Sequence, residues 1–299
     1  MTKIPNPLLK KLGLANDDRV VIIHTDDIGM CQASVEAFAD LNEAGIISSG
    51  AVMVPCPWFL QAADYARQHP QADLGVHLTL TSEWKTYRWG PVSTRDPASG
   101  MIDEEGYFYH LTGPAQKHGD PTAVELELTT QVERAFKAGI VPTHIDTHMY
   151  SMGHPKFMGI YIMLAMKFHL PPMIPRLDEA GFRLAGLDAE SAQAATAMIQ
   201  QLEGSGIPLL DSLSGMSLDT DENSMERTKQ ALSGLQPGIT HFIIHPSKDT
   251  PELRAITPDW RCRVANYQDF MKDDLRQHIK NIGIHVIGYR ALKAFMPGA

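Results

Sequence analysis

The chain has 299 residues, 43% of them apolar and 20% charged, which is enough apolar material for a large core in one domain or two. Its formal net charge of −9 argues against a nucleic-acid partner held through its phosphates, because such binding needs a basic face. Cys31, Cys56 and Cys262 are too scattered for a disulfide framework or a zinc knuckle, no stretch reaches the length of a membrane span, and residues 1–18 carry Lys3, Lys10 and Lys11 without the apolar core of a signal peptide. A cytoplasmic protein with no membrane partner is expected.

In chain order, Val20-Val21-Ile22-Ile23-His24-Thr25-Asp26-Asp27-Ile28-Gly29 comes first, and its β-branched run predicts a strand buried on both faces that ends at two adjacent carboxylates. Residues 34–44 read as a helix closed by Gly45, 46–54 as strand, 57–69 as helix, and 72–80 as strand ending in Gly75-Val76-His77-Leu78-Thr79-Leu80. Residues 82–119 break the alternation with prolines, glycines and a set of aromatic residues that includes Trp84, Tyr87 and Trp89; a loop of this kind is expected to serve as a lid over the strand ends. Asp120-Pro121 opens a helix in the cap-then-proline manner, ended by Gly139. Residues 140–148 read as strand. Further helices are predicted over 155–169, 189–203, 224–234 and 267–282, and further strands over 173–176, 207–210, 239–245 and 284–288. About eight strands alternating with helices predict an α/β fold, a single (β/α) barrel spanning 1–299, with a mostly parallel sheet.

In parallel α/β folds the chemistry sits beyond the carboxyl ends of the strands. Asp26 and Asp27 end the first strand there, and adjacent carboxylates repel unless a cation neutralises them, so one can ligate a metal while the other stays free as a base. His77 ends the third strand. The fourth delivers His144, Asp146 and His148 on one face, because strand side chains repeat every two residues, and the strand over 239–245 delivers His245. Asp27, His77 and a histidine of the fourth strand would make a mixed oxygen and nitrogen set with open positions, suited to zinc and, with more waters, to other divalent ions such as magnesium. His148 lies nearer the strand end than His144 and is the better ligand, which leaves Asp146 or His144 to orient the ligands from behind. His24, His241 and His285 read as structural.

Thr25-Asp26-Asp27-Ile28-Gly29, Gly75-Val76-His77-Leu78-Thr79-Leu80-Thr81, Pro142-Thr143-His144-Ile145-Asp146-Thr147-His148 and His245-Pro246 resemble the successive motifs of the YdjC-like carbohydrate deacetylases, a family that includes enzymes removing acetyl groups from chitooligosaccharides. The resemblance runs in order from Arg19 to Leu292. It implies a deformed (β/α) barrel related to that of the polysaccharide deacetylases, hydrolysing an N-acetyl group of a small carbohydrate with one divalent metal. Carried over by position, it implies Asp27, His77 and His148 as metal ligands, Asp26 as general base, His245 as general acid, and Arg176 as a cation keeping the base ionised. Trp84, Tyr87 and Trp89 could stack on a sugar ring or simply pack the loop down. The chain departs from the family where Met149, Tyr150 and Ser151 follow the fourth-strand motif in place of further histidines, and where Thr25 and Ile28 replace the common alanine and phenylalanine. These departures bear on the sugar and leave the metal set intact. Hydrolysis of a different amide or ester, and a catalytically silent carbohydrate-binding barrel, are the alternative readings; self-association is left open.

Overall fold

A run of β-branched residues disfavours helix and fits a pleated, doubly covered strand. In a computed structural model that describes residues 5–298, outside which Lys3 falls, that run is the middle of the sheet. A short helix, α1 (Pro7–Lys11), capped by the Asn6 side chain, precedes β1 (Arg19–Ile28). Strand and helix then alternate through α2 (Gln32–Ala44), β2 (Ser49–Val52), α3 (Phe59–Gln68) and β3 (Leu74–Leu78). The 82–119 segment contains α4 (Thr112–His118), after which come α5 (Pro121–Lys137), β4 (Ile145–Thr147), α6 (Pro155–Phe168), α7 (Glu179–Leu184), α8 (Ala189–Gly204) and β5 (Ser212–Gly215). The chain closes with α9 (Ser224–Ser233), β6 (Gly238–Ile244), α10 (Pro251–Ile256), α11 (Trp260–Phe270), α12 (Asp273–Asn281), β7 (His285–Val286) and α13 (Tyr289–Lys293). Among the described residues no helix is long and apolar enough to cross a membrane.

All strand pairs are parallel, in the order β4-β3-β2-β1-β6-β5, and β7 pairs with the start of β1. Two single bridges, Ile145 to Pro172 and Pro175 to Leu210, carry the sheet from β4 round to the approach of β5 and close it into a deformed barrel. The expected strand over 173–176 is reduced to these bridges, because Pro171, Pro172 and Pro175 have no amide to donate. The strand expected at 207–210 begins later, at Ser212, and the one expected over 140–148 keeps only Ile145–Thr147 as regular strand. The helix expected over 267–282 is two helices, since Lys272 turns extended and Asp273 and Asp274 start a fresh first turn.

Alternation along the strands sorts the core into an outer layer and a barrel interior. Val21 and Ile23 face the helices and pack in the large cluster with Phe38, Leu41 and Phe242. Val20 and Ile22 face inward and pack with Met173, Leu210, Ile239 and Tyr289, under Leu8 and Leu9 of α1 and Leu292 of α13, which stopper that end. Moving along the same inward faces, the lining changes from this apolar tier to the buried imidazoles His24, His144 and His241, and then to carboxylates and histidines at the strand ends.

Candidate active site

A regular strand would send Asp26 and Asp27 to opposite faces. In β1 it does not. Thr25 pairs with Gly50 and Ile28 with Val52, so β1 spends one residue more than β2 over the same distance, and the extra residue is a bulge. Asp27 takes the left-handed backbone (φ 60), which aspartate tolerates better than most residues. Both carboxylates thereby face His77: its Nε2 lies 3.8 Å from Asp26 Oδ2 and 3.5 Å from Asp27 Oδ1. Gly50 permits the close approach of the two strands, as a Cβ there would meet Thr25 Oγ1 at 2.2 Å.

Asp27, His77 and His148 converge, with His148 Nδ1 3.2 Å from Asp27 Oδ1. Each is held from behind by a charged group. His77 Nδ1 lies 2.8 Å from Asp146 Oδ1, His148 Nε2 3.0 Å from Glu83 Oε2, and Asp27 Oδ2 accepts from Arg263 Nη1 at 2.7 Å. These contacts aim one nitrogen of each ring and one oxygen of Asp27 at a common point. Asp27 Oδ1 and His77 Nε2 are buried without hydrogen-bond partners. Leaving such atoms unsatisfied costs about 1–3 kcal/mol each, and a divalent cation would answer both. The donor set fits the expected metal.

The electrostatics follow from burial set against neighbours. Burial alone would raise the Asp27 carboxyl, but the Arg263 guanidinium, with His148 and His77, outweighs it and holds it well below the usual range. For Asp26 burial is again opposed, by the charge of His77 and the hydrogen bond from His24, and the carboxyl is lowered. Burial would strip the proton from His77, yet Asp146 and Asp26 hold it well above the ordinary imidazole value; Glu83 and Asp27 do the same for His148, at about 9. His245 behaves oppositely, with burial pushing it down. Its Nε2 lies 3.9 Å from Asp26 Oδ2, and these two side chains keep 20% and 10% exposure at the mouth of the barrel.

The structure thus brings Asp26, Asp27, His77, His148 and His245 together and places Asp146 behind His77. Arg176 is a correction: its partners include Glu203 at 2.6 Å and Asp211 at 3.0 Å. Asp211 accepts the Ile239 amide at the start of β6, six residues before His245, or about 20 Å along a strand. The cation beside a site carboxylate is Arg263 on α11. Of the two roles open to Trp84 and Trp89, packing is the one seen here. They are 8% and 3% exposed and pack edge to face 5.4 Å apart, Trp84 under the Arg263 guanidinium and Trp89 beside His148. Half-buried Tyr87 donates its hydroxyl to the Met30 carbonyl, so the three aromatics brace the loop. With Glu83 on His148, with Trp89 Nε1 on the Thr81 carbonyl, and with Glu127 accepting the Val92 and Ser93 amides, the segment is tied down over the strand ends as a wall of the site.

Sequence reasoning missed Glu83, Arg263 and the part played by His24. Glu83 had its place beside the aromatic loop as a signal; Arg263 had none. His24 was read as structural, yet its Nδ1 lies 2.7 Å from Asp26 Oδ1. His144 stands behind His24, and His241 takes the Tyr289 hydroxyl at 2.8 Å. Met149 and Tyr150, just after His148, both adopt left-handed backbone and are exposed at the rim.

Fold and site together define a class: a single parallel (β/α) barrel with a buried cluster of aspartates and histidines, suited to holding a cation, at the carboxyl ends of β1, β3, β4 and β6. Within it, the chain belongs to the YdjC-like protein family, whose sequence profile matches residues 20–281. A carbohydrate deacetylase of Thermus thermophilus is 31% identical over 96% of this chain and 98% of its own length. Another, of Thermoanaerobacter pseudethanolicus, is 23% identical over 92% of this chain and 100% of its own. In fold, the chain is similar to a crystal structure from Enterococcus faecalis described as that of a candidate cellobiose-phosphate cleavage protein, with TM-score 0.73, 22% identity, and coverage of 92% of this chain and 99% of that one.

Proposed function

We propose that the protein is a metal-dependent deacetylase that hydrolyses an N-acetyl group of a small acetylated carbohydrate. The observation that carries the reading is the division of labour between neighbouring residues of the bulge. Asp27 joins His77 and His148 in a three-ligand set, while Asp26 Oδ2 stays beside it, facing the mouth with His245. The names of the full-length relatives support the substrate class. Zinc or magnesium would suit the ligands.

Bound by Asp27, His77 and His148, such an ion would polarise the acetamide carbonyl and acidify a water. The chain's own residues do the rest. Asp26, kept ionised by His77 and His24, takes the proton from the attacking water at Oδ2. An amine leaves poorly unless protonated; His245, 3.9 Å from that oxygen and neutral at rest, takes up the proton that Asp26 has drawn from the water and passes it to the departing nitrogen. Asp146 and Glu83 keep the two imidazoles in register, and Arg263 holds one oxygen of Asp27 so that the other points into the site. The Trp84–Trp89 wall excludes water, and Tyr150 is the exposed aromatic at the rim for a sugar to meet.

The test is acetate release from short N-acetylglucosamine oligomers and other N-acetylated sugars. Release should stop on chelation and return with a divalent metal. Asp26→Asn should lower turnover by about 100-fold or more with the metal retained, whereas Asp27→Ala should lose the metal. Activity indifferent to chelation and to Asp27→Ala would refute the reading.

A further inference from the structure

We propose that His24 is a positioning residue for the Asp26 carboxylate, locked by a buried chain that runs from Asp26 through His24, His144 and Thr143 to Asp73. The proposal rests on the reading of Asp26 as the base. Its links are short: Asp26 Oδ1 to His24 Nδ1 is 2.7 Å, His24 Nε2 to His144 Nε2 2.9 Å, His144 Nδ1 to Thr143 Oγ1 3.0 Å, and Thr143 Oγ1 to Asp73 Oδ1 2.5 Å. His24, His144 and Thr143 have no exposed surface. The far end is fixed as well, since Asp73 accepts from Ser49 Oγ at 3.0 Å and from the Arg290 amide at 2.7 Å. The path for His144 is built into the fold. Its ring stacks on Tyr289 at 3.9 Å and fills the space over Gly75, where a Cβ would strike the imidazole at 2.4 Å.

The hydrogens along this chain can be assigned from the donors available. Asp73 Oδ1 is an acceptor, so the Thr143 hydroxyl donates to it. A hydroxyl has one hydrogen, so His144 Nδ1 must donate to Thr143. Burial, with His24 and His241 nearby, holds His144 well below the usual imidazole range; it is neutral, and its Nε2 offers only a lone pair. His24 Nε2 therefore donates to His144. On its other side His24 Nδ1 lies 2.7 Å from Asp26 Oδ1, within hydrogen-bond reach. The ring thus spans His144 and Asp26, tying down Asp26 Oδ1 and leaving Oδ2 as the oxygen that faces His77 and His245. His24, Asp26, Asp146 and His241 also lie close enough to share an ion, but both nitrogens of His24 are already committed to this chain.

The experiment compares His24→Leu and His24→Asn in the metal-loaded enzyme acting on an N-acetylglucosamine oligomer. His24→Leu should lower kcat about 100-fold, with KM within about twofold and metal content unchanged; His24→Asn, which returns an N–H to Asp26, should recover at least about tenfold of the loss. Wild-type kcat in His24→Leu would overturn the proposal, as would equal losses in the two variants, the mark of mere packing. Histidine-selective 15N spectra of the substrate-free, metal-loaded protein provide a readout without activity. The His24 Nδ1 signal should be displaced in Asp26→Asn and the His144 Nδ1 signal in Thr143→Val; signals that stay in place would overturn the chain. If no sugar releases acetate, the functional reading fails, and the spectra still decide this chain.

Discussion

Replacing Arg263 by methionine keeps an unbranched apolar stem in its place and removes the charge. The guanidinium, 3% exposed, donates to Asp27 at 2.7 Å and to Asp259 at 2.7 and 3.3 Å, with Trp84 over its face. Removing one partner of a buried ion pair strands the other, at about 3–5 kcal/mol. At about 2–4 °C per kcal/mol for a protein of this size class, the metal-free variant should melt roughly 10 °C lower or more. A divalent cation at Asp27 supplies the missing positive charge, and at about a hundred times its Kd it returns about 2.7 kcal/mol. In the wild type Arg263 already answers that carboxylate and repels an incoming ion, so the same metal concentration should raise the melting temperature less. Calorimetry of chelator-treated protein, titrated with zinc or magnesium, measures both. A metal-free variant as stable as the wild type, or equal gains in the two proteins, would refute the reasoning.

Two further outcomes are expected. Glu83→Gln removes the carboxylate that aims His148 and should weaken metal binding about 10–100-fold by titration calorimetry; unchanged affinity would reduce Glu83 to a brace for the loop. Metal affinity should rise with pH up to about 9, because His148 carries a proton below that value which must leave before Nδ1 can ligate. Each obligatory proton is worth about tenfold per pH unit, and a flat profile would remove His148 from the ligand set.

The legible part of the fold was what local chemistry dictates. The β-branched run before Asp26, the Asp120-Pro121 helix start and the two-residue spacing of His144, Asp146 and His148 depend on near neighbours alone, and they led to the right elements. The bulge was hidden, because it exists only in the pairing of β1 with β2; without it, pattern reading has no reason to place adjacent aspartates on one face. Arg263 lies 236 residues from the carboxylate it holds, and nothing in its local sequence distinguishes it from an exposed helical arginine. Arg176 went astray for the same reason: which acid a cation finds is settled by tertiary packing. The segment 82–119 was recognised as functional by its aromatics. How it is tied down was not, since that depends on Glu83 meeting His148, Glu127 accepting from Val92 and Ser93, and Arg88 joining distant parts of the segment itself, Asp103 and the Phe108 carbonyl.

The single supernumerary residue in β1 makes the site unusually sensitive to one kind of genetic change. Loss of one codon between Thr25 and Ile28 would restore ordinary pleating, so whichever aspartate survived, the second would be missing from the cavity or turned toward α2 and its neighbours. Point substitutions along the outer helices carry no comparable hazard. Length at this spot is therefore under tighter constraint than identity almost anywhere on the surface.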